Sequence, residues 1–316
     1  MKAERIERVL PRIEQLLKEC CLCGHRCGID RYSNAAGFCR TTSSDRFHAR
    51  YSSHTLHFGE EPVLVGQGGS GAVFFTHCNL RCVFCQNYQI SQVGMGDDVH
   101  YTDLSGIFLG LQADGAENIN LVTPTHYIYP ILLGLLDAYR NGLSVPLVYN
   151  TNGYDSVELL ALLDGIVDVY LPDMKYMDEA LARKYSSGKD YPEVAKNAIK
   201  EMHRQVGAVH EVRGGATRGV IIRHLILPEN IAGSYDFLLW LKHEGMLDVT
   251  LSLMSQYSPQ HRAHEFPELR NRISQKEYRN IVRYAIDLGF DHLLTQGLES
   301  SDLYFPDFKK DDPFSD

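Results

Sequence analysis

Three cysteines, Cys78, Cys82 and Cys85, follow the apolar run Ala72-Val73-Phe74-Phe75 in the order C-x3-C-x2-C. No other feature constrains the fold as strongly. Thiolates this concentrated are soft ligands for an iron–sulfur cluster or zinc, and they stand just past the end of an expected strand. A cubane cluster has four irons, so three cysteines leave one iron free to bind something else. A structural zinc site instead closes with four ligands, often as two C-x2-C halves. His77 is a poor fourth ligand, because in an extended chain it points away from its neighbour Cys78. The spacing therefore favours a cluster over zinc, and over a disulfide with a spare thiol.

All 8 cysteines of the 316 residues lie within the first 85 positions. Disulfides do not crowd one end of a chain this long, and metal binding accounts for the distribution better. Cys20, Cys23, Cys27 and Cys39 form a second frame, C-x2-C-x3-C-x11-C, with Cys21 left over and an exchange of Cys20 for Cys21 open. Two readings stand: an auxiliary [4Fe-4S] cluster that passes electrons or binds substrate, or a structural zinc knuckle. The formal net charge of −9 argues against a broad nucleic-acid footprint. The first residues are too charged for a secretory signal, and apolar stretches such as 131–136 are too short to span a bilayer. A cytoplasmic protein with no membrane and no nucleic-acid partner is expected.

Along the chain, Ile6, Val9, Leu10, Ile13, Leu16 and Leu17 keep helical spacing, with Pro11 marking the first turn. Strand-like runs occur at 72–76, 119–123, 146–151, 167–171, 220–227 and 249–253. Helical patterns at 127–139, 192–210, 234–244 and 278–288 lie among them, the last behind a capping box of Ser274 and Glu277. Six such repeats predict an α/β fold, a partial (β/α)6 barrel with an N-terminal cysteine-rich extension. The expected divisions are 1–60, 61–298 and an acidic tail over 299–316, with Tyr304, Phe305 and Phe308 packing on the body. Gly66-Gln67-Gly68-Gly69-Ser70-Gly71 matches the dinucleotide fingerprint G-x-G-x-x-G. That motif needs a helix after it, and here a strand follows, so it reads as the entry into the first barrel strand.

Reactive residues of parallel α/β barrels hang from the carboxyl ends of the strands. The strand ends here carry the three cysteines, Thr123-Pro124-Thr125-His126, Asn150-Thr151-Asn152, Asp173-Met174-Lys175, Arg223-His224 and Ser255-Gln256-Tyr257. His126, His224, His261 and His264 read as ordinary helix-start or loop histidines.

The cysteine spacing, with Phe84 before the last cysteine, resembles the radical S-adenosylmethionine (SAM) superfamily, and residues 72–294 resemble its partial barrel. Within it, Cys20–Cys39, the run Cys78-Asn79-Leu80-Arg81-Cys82-Val83-Phe84-Cys85-Gln86-Asn87, Val122–His126 and Tyr257-Ser258-Pro259 resemble pyruvate formate-lyase activating enzymes and their PflX-type relatives. The resemblance implies a [4Fe-4S] cluster on Cys78, Cys82 and Cys85 whose free iron binds SAM. It also implies that Phe84 lies near the adenine, that Asp173 and Lys175 touch the ribose and carboxylate, and that Arg223 points toward SAM. Asn150 belongs with these as a cofactor contact. The usual Gly-Gly-Glu that cradles the SAM amino group is absent; Thr123-Pro124-Thr125-His126 stands in its place, and the Thr123 or Thr125 hydroxyl can accept from an ammonium.

The function so implied is an oxidoreductase-type radical SAM enzyme. Fed by an external reductant such as flavodoxin or ferredoxin, it cleaves SAM to a 5′-deoxyadenosyl radical that abstracts hydrogen from a substrate. The substrate is a protein, in the manner of a glycyl-radical activase, or a small molecule. An open groove at the barrel mouth favours the former and a lid over 257–272 the latter. The rival is a non-catalytic iron–sulfur electron carrier or scaffold.

Overall fold

The computed structural model describes every residue except 34, 42–44, 213–214, 299–305, 311–312 and 315–316. Its centre is a ten-stranded open sheet in the order β10-β9-β8-β6-β5-β4-β2-β1-β3, with β7 paired to β8. The strands are β1 (His48–His57), β2 (Ser70–Phe75), β3 (Asp97–His100), β4 (Ile119–Val122), β5 (Leu147–Thr151), β6 (Val169–Pro172), β7 (His210–Val212), β8 (Gly215–Leu225), β9 (Thr250–Met254) and β10 (Leu293–Thr295). All pairs from β2 through β10 along that order are parallel, whereas β1 joins β2 and β3 in antiparallel fashion. The six expected strands are present, a seventh parallel strand extends one edge, and a two-stranded ribbon extends the other. This is an open, partial barrel.

Helices cover the outer face: α1 (Lys2–Lys18), α2 (Pro62–Val65), α3 (Tyr101–Ala113), α4 (Ile128–Arg140), α5 (Val157–Leu162), α6 (Glu179–Ser186), α7 (Tyr191–Val206), α8 (Ser234–His243) and α9 (Gln275–Leu288). The short α2 is the exception, as described below. Pro11 does not mark the first turn of α1; the helix starts at Lys2 and runs through it. Loss of one backbone hydrogen bond there is offset by burial of Ile6, Leu10, Ile13 and Leu17 along a single stripe. The helix expected to reach residue 210 stops at Val206, because Gly207 takes a φ of +68° and the chain then turns into β7. The capping box forms as expected: Ser274 N donates to Glu277 Oε2 (2.8 Å) and Glu277 N to Ser274 Oγ (3.2 Å).

Residues ahead of position 61 share this body. β1 lies in the sheet, and Ile6, Leu10, Ile13 and Leu17 join the main core with the outer faces of the barrel strands. Tyr304 and Phe305 of the tail lie outside the described residues, whereas Phe308 is buried against Phe74, their rings 5.5 Å apart. Among the described residues no helix is long and apolar enough to cross a membrane.

Side chains of a strand alternate between its faces, and this decides where the chemistry sits. Leu147, Tyr149, Tyr170, Val220, Ile222, Leu251 and Leu253 face outward into the large core beneath the helices. Val148, Val169, Leu171 and Ile221 face inward, and Leu64 of α2 packs against them. The turn carrying α2 thus plugs the inside of the barrel. Above that plug, inward positions become polar.

Candidate active site at the barrel mouth

The loop after β2 carries the cysteines and is clamped to the end of α6: Arg81 N donates to Ser186 O (2.9 Å) and Val83 N to Tyr185 O (2.8 Å). Each cysteine sulfur has a hydrogen-bond partner. Asn152 Nδ2 donates to Cys78 Sγ (3.3 Å), Ser186 Oγ to Cys82 Sγ (3.0 Å), and Ser91 Oγ lies 3.2 Å from Cys85 Sγ. Leu80 N adds a second donor to Cys78 Sγ at 3.4 Å. Burial, and then the neighbouring Cys82, push the Cys78 thiol up to about 12 and Cys85 to about 11. Ionising them needs a cation, which bound iron supplies. The donor set therefore fits a cluster: three thiols on one loop, each with a hydrogen-bond partner that steadies a coordinated sulfur.

Facing this loop is a cavity of about 230 Å³, lined among others by Cys82, Phe84, Cys85, Asp173, Lys175 and Arg223. The last three, expected from their strand ends, do meet. Arg223 Nε donates to Asp173 Oδ1 (2.9 Å), and Lys175 Nζ to Asp173 Oδ2 (2.7 Å). Arg223 Nη2 reaches Asn150 Oδ1 (2.6 Å). Burial raises the cost of the Asp173 charge, but Arg223 and Lys175 outweigh it and hold the carboxyl below its ordinary value. Lys175 is likewise held charged: burial opposes its ammonium, and Asp173 and then Cys82 overcome it. The result is a fixed array, two cations around one carboxylate, beside the cysteine loop.

One member has no counterpart in the strand-end pattern. Glu60, on the turn between β1 and α2, accepts from Arg223 Nη1 (3.2 Å), Asn120 Nδ2 (2.9 Å) and Asn150 Nδ2 (3.2 Å). Its neighbour Glu61 is buried, and burial followed by the adjacent Glu60 pushes its carboxyl up to about 7. Both line a second cavity of about 480 Å³ that also touches Arg223 and Gln256. A third, of about 160 Å³, joins Asn150, Arg223, Gln86 and Asn87 to Phe314 of the tail. Arg223 is common to all three. The only hint of these acids in the sequence is the pair Glu60-Glu61 directly before Pro62, 163 positions from Arg223 for the Glu60 contact.

Other expected residues are placed elsewhere. Thr125 does not turn to the cavity. It lies in a 3-10 turn on the outer side, where its hydroxyl donates to Asp155 Oδ1 (2.7 Å). Tyr149 OH (3.1 Å) and the Thr151 hydroxyl donate to the same carboxylate. Thr123 sits at the strand end with a φ of +57°, its N–H bonded to Asn150 O (2.9 Å). His126 is buried with Nε2 on Thr76 O (2.7 Å), and burial lowers it to about 3. His224 faces outward, bonded to Met174 O (2.7 Å) and Ser234 Oγ (2.8 Å), and burial lowers it to about 4. Both are neutral structural imidazoles. His261 stacks on Tyr88 at 4.7 Å, and Phe84 meets Tyr257 edge-on at 5.7 Å.

Residues 72–215 match the Radical SAM superfamily. The uncharacterized protein MJ0674 of Methanocaldococcus jannaschii is 31% identical over 291 residues, 88% of this chain and 78% of that protein. Among solved structures, SuiB of Streptococcus suis bound to S-adenosylmethionine is similar with a TM-score of 0.48 and 15% identity, covering 72% of this chain and 51% of that one. Methylornithine synthase is similar with a TM-score of 0.45 and 17% identity, covering 69% and 61%. The chain thus spans about half of SuiB and less than two thirds of methylornithine synthase. On the cysteine motif, its place after the first parallel strand and the match of residues 72–215, the chain belongs to the radical SAM superfamily, whose members carry a [4Fe-4S] cluster and S-adenosylmethionine.

Proposed function

We propose that this protein is a cytoplasmic enzyme that cleaves S-adenosylmethionine reductively and abstracts a hydrogen atom from a substrate at the barrel mouth. The observation that carries this reading is the single cavity shared by Cys82, Cys85, Phe84, Asp173, Lys175 and Arg223. When bound, the cluster and SAM supply the radical chemistry, given one electron from an external carrier such as flavodoxin or ferredoxin. The chain's own residues hold the partners in register. Cys78, Cys82 and Cys85 hold the iron. Lys175 and Arg223 are fixed cations suited to the SAM carboxylate, while the hydrogen-bonded Asp173 and Asn150 suit its hydroxyl groups. Because the Thr125 hydroxyl is committed to Asp155, the SAM ammonium is left to backbone carbonyls of the Thr123–Pro124 turn and to Glu60.

Substrate size is addressed by the segment 257–272. Tyr257 is buried with its hydroxyl on Leu269 O (2.6 Å), and Arg262 N donates to Val83 O of the cysteine loop (2.8 Å). A strap docked in this way supports a small molecule. The second reading, a polypeptide substrate as for a glycyl-radical activase, rests on the sequence resemblance and requires the strap to lift.

The test is the electron paramagnetic resonance spectrum of anaerobically reconstituted, dithionite-reduced protein with and without SAM. A signal that shifts on adding SAM, with 5′-deoxyadenosine formed on turnover, supports the enzyme. Cys82→Ala should abolish both. Normal turnover by that variant, or a fully loaded protein blind to SAM, would leave a non-catalytic iron–sulfur carrier or scaffold.

A further inference from the structure

The second cysteine group is a built site with an unmatched charge inside it. Arg31 is completely buried. Its Nη1 donates to His126 O (2.8 Å), and Nη2 donates to Cys39 Sγ (2.9 Å), to Thr41 O (3.4 Å) and to the Thr41 hydroxyl. Among the described residues none of its acceptors is a carboxylate, and its Nε–H finds no acceptor. A buried guanidinium without a counter-ion is costly. The groups able to carry negative charge that act on it most strongly are the sulfurs of Cys39, Cys20 and Cys23.

The sulfurs are arranged around a common space. A side chain on Gly37 would begin 3.0 Å from Cys27 Sγ and 3.8 Å from Cys39 Sγ, so a glycine keeps the gap between those two thiols open. Cys20 is buried close to Cys27, whose Sγ lies 3.9 Å from Cys20 O. The adjacent Cys21 has Cys27 near it but otherwise Glu158, Arg26 and Glu19, whereas Cys20 has Arg31, Cys27 and Cys39 around it, which favours Cys20. Cys27 is exposed, so the group reaches the surface on one side.

We propose that Cys20, Cys23, Cys27 and Cys39 hold a second iron–sulfur cluster, with Arg31 as its buried counter-ion and hydrogen-bond donor. Thiolates on iron supply the negative charge that Arg31 lacks, and bridging sulfides give its free Nε–H an acceptor that a zinc tetrathiolate does not add. The site abuts the first cysteine loop. Arg81 donates to Phe38 O (2.6 Å) and to Cys78 O (3.1 Å), its guanidinium lying 5.0 Å from the centre of the Phe38 ring. His25 Nε2 lies 2.9 Å from Asn79 O.

This inference does not depend on SAM cleavage, so its test removes the first site. The full chain carrying Cys78→Ala, Cys82→Ala and Cys85→Ala is reconstituted anaerobically and assayed for iron, acid-labile sulfide and zinc. Iron with an equal amount of sulfide, abolished by adding Cys23→Ser and Cys27→Ser, supports the cluster. Zinc without sulfide, or no iron in a variant whose circular dichroism and elution volume match the parent, overturns it. Should the triple variant not fold, the reciprocal replacement of Cys20, Cys23, Cys27 and Cys39 by serine decides. It should lose a SAM-insensitive resonance and keep the SAM-sensitive one, and an unchanged spectrum overturns the site. Arg31→Met should make the residual cluster harder to reduce, because a nearby cation favours the more negative reduced state. An unchanged midpoint potential removes Arg31 from the assignment.

Discussion

The two faces of one sheet are built from neighbouring residues and serve opposite ends. Asp155 is a buried and Asp173 a half-buried carboxylate beyond a strand end, yet one lies outside the barrel and the other inside. Among the described residues Asp155 is met only by the hydroxyls of Thr125, Thr151 and Tyr149, and burial raises its carboxyl. Asp173 is met by Arg223 and Lys175 and is held ionised. Neutral donors suit a structural knot. Fixed cations suit a site that must take a charged ligand, because the field is already oriented before the ligand arrives.

The sharpest way to break this contrast is a pair of adjacent substitutions on β8. Arg223→Leu strips the inner network of its cation and leaves Asp173 and Glu60 without it, so it should cost about 3–5 kcal/mol and most of the SAM affinity. His224→Leu, one residue on but facing outward, should cost about 1–3 kcal/mol by orphaning Met174 O and Ser234 Oγ while leaving SAM affinity intact. Chemical denaturation and SAM titration by calorimetry read both. Equal loss of affinity in the two variants would dissolve the distinction between faces.

Glu61 sharpens the comparison through pH. Its folded carboxyl titrates at about 7, above its unfolded value of 4.5. The unfolded chain therefore releases this proton first, and stability falls as pH rises from about 4.5 to about 7, then levels off. Glu61→Gln should remove that slope and be more stable by up to about 3 kcal/mol at pH 8, with no advantage at pH 4. Denaturation midpoints across this range check it; parallel curves for the two proteins would place the strain elsewhere. The smallest effect belongs to Thr125→Val, which should cost about 1–2 kcal/mol through Asp155 and leave SAM binding unaltered. A clear drop in SAM affinity would return Thr125 to the site.

How much of this was legible can be traced residue by residue. The cysteine spacing needs no tertiary information, because ligands a few positions apart are close in any conformation. Asp173, Lys175 and Arg223 are legible from their strand ends, since parallel strands carry their carboxyl termini to one rim. The rule names the rim but not the face, and so it groups Thr125 with the site although Thr125 turns outward. β1 and β3 carry mixed burial patterns, and β7 and β10 have three residues each, too short to show a period. α3 carries no clear apolar stripe in the sequence, although His100 and Asp103 cap it reciprocally.

By itself, then, the sequence determined the donor chemistry of the cysteine loop, the parallel α/β class and the polar rim, all of which rest on local spacing and strand period. Only the tertiary structure decided which rim residues share a cavity, that Glu60 and Glu61 enter it, that 257–272 docks on the cysteine loop, and that Arg31 lies among the second set of cysteines. Those contacts join residues far apart in the chain. Burial, not local pattern, selects them, because a charge removed from water must find its partner wherever the fold brings one.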